Sequence, residues 1–191
     1  EAMPFDVSTD TKAINEEVRL KYRYLDLRSE RLKKNMEARH QMNLFLRNYF
    51  SDKGFWEIET PDLTKGTPEG AREFIVPSRL HKGTFYVLPQ SPQQFKQLLM
   101  VGGMEKYFQV ARCFRDEDQR GDRQPEFTQF DVEMSFITQE DIMRLIEEAL
   151  IAMVEKLWPH LQIQEKPFPV ITYKEAVDKY GNDKPDFRKE K

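Results

Sequence analysis

Between residues 28 and 53 the apolar positions recur with a helical period. Met42, Phe45, Leu46, Tyr49 and Phe50 fall at i, i+3, i+4, i+7 and i+8, so they predict one apolar stripe along a helix. Gly54 is placed to stop it. "FWEIETPDL" then reads as a short strand ended by Pro61, and the Gly-, Pro- and Thr-rich residues 64–72, "TKGTPEGAR", read as a loop. "EFIVPS" and "TFYVLP" predict two strands joined through "RLHKG". In "QSPQQFKQLLMVGG", Ser91 suits an N-cap, Pro92 the first helical position and Gln94 the far side of a capping box. That helix should end at Gly102 and Gly103.

"KYFQVARCFR" alternates and predicts a strand ending at Arg115. "EFTQFDVEMSF" alternates more clearly. Thr128, Phe130, Val132, Met134 and Phe136 share one face, and Phe127, Gln129, Asp131, Glu133 and Ser135 the other. Residues 116–125 join these strands as a long antiparallel hairpin. A helix follows over 138–158, with Thr138 as N-cap and Ile142, Leu145, Ile146, Ala149 and Met153 as its buried stripe. "PFPVITYKEAVDKYG" predicts a short strand and a short helix. Antiparallel strands with helices set apart from them make an α+β fold, an antiparallel sheet flanked by helices. Residues 1–27 read as a linker entering the first helix, and the polar residues 180–191, "YGNDKPDFRKEK", as a tail.

A chain of 191 residues, 39% hydrophobic and 12% aromatic, suffices for one domain with a real core. Charged residues reach 33%, yet the formal net charge is only −3, so any nucleic-acid contact must use a local patch. Cys113 is the sole cysteine, which rules out an internal disulfide framework and fits a reducing compartment. No apolar run approaches the length of a membrane span, and the acidic start is unlike a signal peptide. A cytoplasmic setting, or a mitochondrial one, away from membranes, is the expectation.

Candidate chemistry centres on the polar face of the last alternating strand. Such a face can simply meet water. It can also be the floor of a binding site: Phe127 offers a ring, Arg115 ends the neighbouring strand, and the helix carrying Gln93 and Lys96 precedes the hairpin. An arginine fork suits phosphate because it donates two hydrogen bonds at once. Lys96 lies near a helix N-terminus, where a cation does not stabilise the helix; it is either a surface lysine or part of that floor. Other templates fail. There is no P-loop and no GxGxxG, and His40, His81 and His160 lack metal-ligand spacing. Cys113 fits a buried thiol, and no metal site is expected within the chain.

"FRDEDQRGDRQPEFTQFDVE" resembles motif 2 of class II aminoacyl-tRNA synthetases, in the form seen in aspartyl-tRNA synthetases of the bacterial and mitochondrial type. "KGFWEIETPDL" is similar to motif 1, and "TPEGAREFIVPSR", "LPQSPQQFKQLLM", "KYRYLDLR" and "YGNDKPDFR" resemble the aspartyl branch. The resemblance spans residues 18–188. It implies part of a class II catalytic core over residues 28–172, with motif 1 near 45–63 and motif 2 near 107–136. Residues 1–27 would be the hinge from an N-terminal anticodon-binding domain, and 173–191 the start of a connection to an insertion domain.

The resemblance also implies roles. Arg115 would bind the ATP α-phosphate and the amino-acid carboxylate, as the catalytic residue. Asp116, Glu117, Gln124 and Phe127 would serve the ATP site, with Phe127 stacking on adenine. Glu69, Ser91, Gln93, Lys96, Gln129 and Asp131 would surround L-aspartate, with Lys96 facing its side-chain carboxylate and Glu69 its ammonium. Asparaginyl enzymes carry an acidic residue at the place of Lys96, which argues for aspartate. The motif 2 loop would meet the acceptor end of tRNA(Asp), Mg²⁺ would accompany ATP, and motif 1 with Pro61 would build a homodimer. The implied activity is aspartate–tRNA ligation through an aspartyl-adenylate.

Motif 3, the anticodon-binding barrel, the insertion domain and the acidic residues expected to hold Mg²⁺ do not occur in these 191 residues. Two alternatives stand beside the ligase. A truncated relative could bind or regulate without catalysis, but the matching site positions are all intact. An adenylate-forming asparagine synthetase would need no tRNA, and "KYRYLDLR" with the long motif 2 loop argues against it.

Overall fold

The structure, a computed structural model, describes residues 3–8 and 10–187. Arg188, the last residue of "YGNDKPDFR", and residues 1, 2 and 9 of the expected hinge lie outside the described residues. The chain divides into two compact units, Glu1–Ile142 and Met143–Lys191.

In the first unit the segment read as a linker carries short helical turns. A 3-10 turn, Thr11–Ala13, leads to α1 (Glu16–Lys21) and α2 (Arg23–Asp26). Asn15 caps α1, its side chain accepting from the Glu17 N–H at 2.9 Å. The fully buried Asp26 pins the segment: it accepts from Thr11 Oγ1 and, at 2.6 Å, from Arg23 Nη1, with Arg19 at 3.8 Å. Composition hides this, because a buried carboxylate needs partners that only tertiary folding supplies.

α3 (Glu30–Asp52) carries the predicted stripe and stops at Gly54, whose φ of +82° is a conformation glycine adopts freely. Phe50 is fully buried, with ring centroids 4.9 Å from Phe130, 5.1 Å from Phe55 and 6.0 Å from Phe108. This aromatic cluster fastens the helix to one face of a three-stranded sheet. The sheet has the order β1–β4–β5, with β1 Trp56–Glu57, β4 Lys106–Phe114 and β5 Glu126–Met134. β4 and β5 form the predicted antiparallel hairpin, in register from Lys106↔Met134 to Phe114↔Glu126. β1 joins parallel to β4, so this sheet is mixed rather than purely antiparallel. A separate antiparallel pair, β2 (Ile75–Pro77) and β3 (Phe85–Val87), precedes α4 (Gln93–Val101).

Several expectations need correction. β4 ends at Phe114, one residue before Arg115. β5 ends at Met134, so Phe136 is not on its buried face; it has a φ of +58° and is 94% exposed. α4 begins at Gln93 with Pro92 at the N-cap, and the Ser91–Gln94 capping box does not form. Ser91 Oγ accepts from the Gln93 N–H at 3.3 Å while donating elsewhere.

α5 (Gln139–Leu157) starts in the first unit and runs through the second. Leu145, Ala149 and Met153 are buried as predicted, and Asp141 accepts from both the N–H and Oγ1 of Thr138. In the second unit, Glu147 accepts from the Phe168 N–H and Glu155 pairs with Lys166, which ties the connection back to α5. The strand expected before α6 (Tyr173–Tyr180) is absent, since Pro167 and Pro169 carry no N–H for a ladder. α6 itself has a full capping box, Thr172 with Glu175, and ends at Gly181. Among the described residues no helix is long and apolar enough to cross a membrane.

Candidate functional site

Period-2 alternation puts Phe127, Gln129, Asp131 and Glu133 on the sheet face opposite the Phe50 cluster. α4 packs against β4 and β5, and its first turn delivers Lys96 to that face. Lys96 is buried, not a surface lysine: Nζ lies 3.0 Å from Asp131 Oδ1 and 3.2 Å from Glu133 Oε2. Burial presses its pKa down, but the Asp131 hydrogen bond and charge, with Glu133 behind them, more than reverse this and leave it raised. Burial raises the Asp131 pKa against the opposing pull of Lys96. Among the described residues Asp131 Oδ2 is buried and has no hydrogen-bond partner. The ammonium has three donors and the two carboxylates engage two, so a third acceptor can still be served.

The same face is tightly packed along β4. Tyr107, opposite Glu133, is fully buried and donates to Gln109; burial, then the Asp131 charge, raises its pKa. Cys113 is fully buried beside Gln129 Oε1 at 3.4 Å, and burial pushes its thiol up to about 11.

Just past β4, the half-buried Arg115 guanidinium stands over the Phe127 ring, 5.0 Å from its centroid. Its Nε donates to the Gln90 carbonyl at 3.3 Å, and its backbone N–H to Pro125 O at 2.7 Å. No carboxylate pairs with it among the described residues, so its terminal donors are available to an anion. Asp116, Glu117 and Gln124 are exposed, and Glu117 and Gln124 line a cleft of about 840 Å³ with Arg39, Arg112, Arg115 and Phe127, a lining that does not include Asp116.

The loop 64–72 closes over the start of α4. Ser91 Oγ donates to Glu69 Oε2 at 2.6 Å, and Thr67 Oγ1 to Glu69 Oε1 at 3.1 Å. Glu69 and Ser91 therefore meet each other. Gln93 is half-buried at the helix start, and Pro61 is exposed beyond β1. One residue is read from the sequence only as a position on the polar face, and another escapes a sequence reading. Glu133 joins Asp131 around Lys96, which alternation alone places on the right face. Gln90 is buried and touches both the loop and Arg115, and nothing in the sequence pattern marks it. Among the described residues no three His, Cys, Asp or Glu side chains come together to hold a metal ion.

A family model described as "tRNA synthetases class II (D, K and N)" matches residues 15–191, and the chain belongs to that family. It is 58% identical over 191 residues to an "Aspartate--tRNA(Asp/Asn) ligase" of Halothermothrix orenii, a match covering 98% of this chain and 31% of the relative. A similarly named protein of Natranaerobius thermophilus is 57% identical over 187 residues, covering 97% and 31%. An "Aspartate--tRNA ligase" of Staphylococcus aureus strain Newman is 55% identical over 188 residues, covering 98% and 32%. The chain thus spans about a third of the length of the curated relatives it matches.

Proposed function

We propose that this class II tRNA synthetase chain supplies part of the active site of an aspartate–tRNA ligase, which makes aspartyl-adenylate from L-aspartate and ATP and passes the aspartyl group to tRNA(Asp). The observation that carries the reading is one strand face holding Arg115 over Phe127 and a buried Lys96 between Asp131 and Glu133.

In the reaction, an oxygen of the aspartate α-carboxylate attacks the ATP α-phosphorus and pyrophosphate leaves with the bond electrons. Neither partner needs a protein nucleophile; positioning and charge neutralisation lower the barrier. Arg115 turns its free donors to the α-phosphate and the attacking carboxylate. Phe127 supports adenine, with Asp116, Glu117 and Gln124 around the nucleotide. The unpartnered Asp131 Oδ2 and Glu69 accept from the substrate ammonium, and Ser91, Gln93 and Gln129 border the aspartate. Lys96 directs its third donor to the side-chain carboxylate. Because Asp131 and Glu133 already pair with it, asparagine does not leave a bare cation; it is disfavoured because its neutral amide accepts a weaker hydrogen bond than a carboxylate and turns an NH2 group where the second carboxylate oxygen would lie. Mg²⁺ accompanies ATP in such chemistry, but these residues form no cluster fit for it, and no step here depends on one.

The ribose hydroxyl of the tRNA acceptor end then takes the aspartyl group, with loop 116–125 meeting that end. Pro61 faces a second copy in a homodimer; a monomeric mass by sedimentation would refute this. Aspartate-dependent ATP–pyrophosphate exchange, assayed in the longest protein that carries this sequence, tests the reading. Arg115→Ala should lower it by about 100-fold or more, as for loss of a transition-state donor. Exchange that ignores aspartate, or survives the substitution, overturns it.

A further inference from the structure

Gln90 is 2% exposed and sits where three segments meet. Its Oε1 accepts from the Ala71 N–H at 2.9 Å, which anchors loop 64–72. Its carbonyl accepts from Arg115 Nε at 3.3 Å. An N–H can only donate, so the atom facing Ala71 must be the amide oxygen, and the amide is fixed in one orientation. Gly70, at φ +98°, makes the turn just before Ala71 in a conformation that side chains disfavour.

Two further links run in parallel. Glu69 meets Ser91, the neighbour of Gln90, and Arg72 exchanges hydrogen bonds with Asp116: Arg72 Nε donates to Asp116 O at 3.1 Å, and the Asp116 N–H to Arg72 O at 3.0 Å. The loop is therefore held along its last four residues to the two segments that frame Arg115. If the loop lifts, the Gln90 amide loses its one protein partner while buried, because Nε2 has none among the described residues. A buried polar group left unsatisfied is costly, so the closed loop and the ordered Gln90 stabilise each other.

Building on the ligase reading, we propose that Gln90 is a positioning residue that couples the closure of loop 64–72 to the aim of Arg115: its side chain holds the loop at Ala71 and its backbone holds the guanidinium. A plain core glutamine would affect stability alone. The coupling predicts a kinetic effect and a local one together.

The test uses the longest protein that carries this sequence. Gln90→Met keeps the volume and removes the acceptor. It should raise hydrogen exchange at the Ala71 amide and lower kcat for aspartate-dependent pyrophosphate exchange by about tenfold, the loss expected from one buried hydrogen bond, with protection in α3 unchanged. Gln90→Glu restores an acceptor oxygen and should recover the Ala71 protection and most of the rate. Wild-type exchange and kinetics in Gln90→Met, or equal loss in both variants, overturns the coupling. If the unsubstituted protein lacks aspartate-dependent exchange, the ligase reading fails, and the Ala71 protection still decides whether Gln90 latches the loop.

Discussion

Replacing Lys96 by Met would leave two carboxylates facing each other without their cation. Asp131 Oδ1 and Glu133 Oε2 lie 3.0 and 3.2 Å from Nζ, and the Asp131 side chain is only 14% exposed. At an effective dielectric constant of about 20, a single pair at this distance has a Coulomb energy of about 5 kcal/mol before the lost hydration of the ammonium is counted. Breaking a buried pair by removing one member costs about 3–5 kcal/mol. The Glu133 side chain is 34% exposed and can turn to water, so we expect about 2–4 kcal/mol here. The sign of the pH dependence follows from Asp131. Burial already raises its pKa above the ordinary 3.8, and losing Lys96 removes the opposing pull. A carboxyl whose folded pKa exceeds the unfolded value binds its proton more readily when folded. The deficit of Lys96→Met should therefore shrink as pH falls through the raised folded pKa towards 3.8. Urea denaturation at pH 7 and pH 5 measures it, and Lys96→Met combined with Asp131→Asn should recover much of the loss at pH 7. A deficit below about 1 kcal/mol that is flat with pH and unrepaired by the second substitution would refute the buried triad.

Phe50→Ala should cost about 3–5 kcal/mol in denaturant, because the ring is fully buried among three others; a loss under about 1 kcal/mol would contradict that packing. Cys113, with its thiol pushed up to about 11, should resist iodoacetamide at pH 7.5 in the native state and react on unfolding. Native reactivity matching that of free cysteine, by mass spectrometry, would contradict the burial. Asp26 has a lowered pKa, chiefly through its Thr11 hydrogen bond. Its contribution is complete above the ordinary 3.8 and lost as pH falls through the lower folded value; Asp26→Asn should flatten that acid limb of a stability–pH curve, and an unchanged limb would argue against it.

Wherever one face of an element meets the core, its side chains could be read from order alone. The stripes on α3 and α5 rest on a period that burial enforces, and the structure keeps them; β5 alternates up to Met134 with both of its faces half-buried. Alternation and sequence neighbourhood pointed to the Lys96–Asp131 contact between α4 and β5 and to Arg115 beside Phe127. What escaped depends on partners distant in sequence. Trp56 and Glu57 join β4 in parallel across some fifty residues, as their pairing with Tyr107 and Phe108 shows. Thr11 and Asp26 fold a stretch whose composition reads as a linker. Ser91 has a capping sequence but spends its hydroxyl hydrogen on Glu69, because a carboxylate is the stronger acceptor. Lys96 arrived as a cation for a substrate and proves to be held already by two carboxylates. Gln90 carries no local signal at all.

The most direct measurement is calorimetric titration of the longest protein carrying this sequence with a non-hydrolysable aspartyl-adenylate analogue, beside its asparaginyl counterpart and Arg115→Ala. The account predicts that the aspartyl form binds more tightly, by about tenfold or more as expected when a charged acceptor replaces a neutral one at a buried ammonium, and that both forms weaken sharply in Arg115→Ala. Equal binding of the two analogues, or binding indifferent to Arg115, would contradict a site built on Arg115 and Lys96.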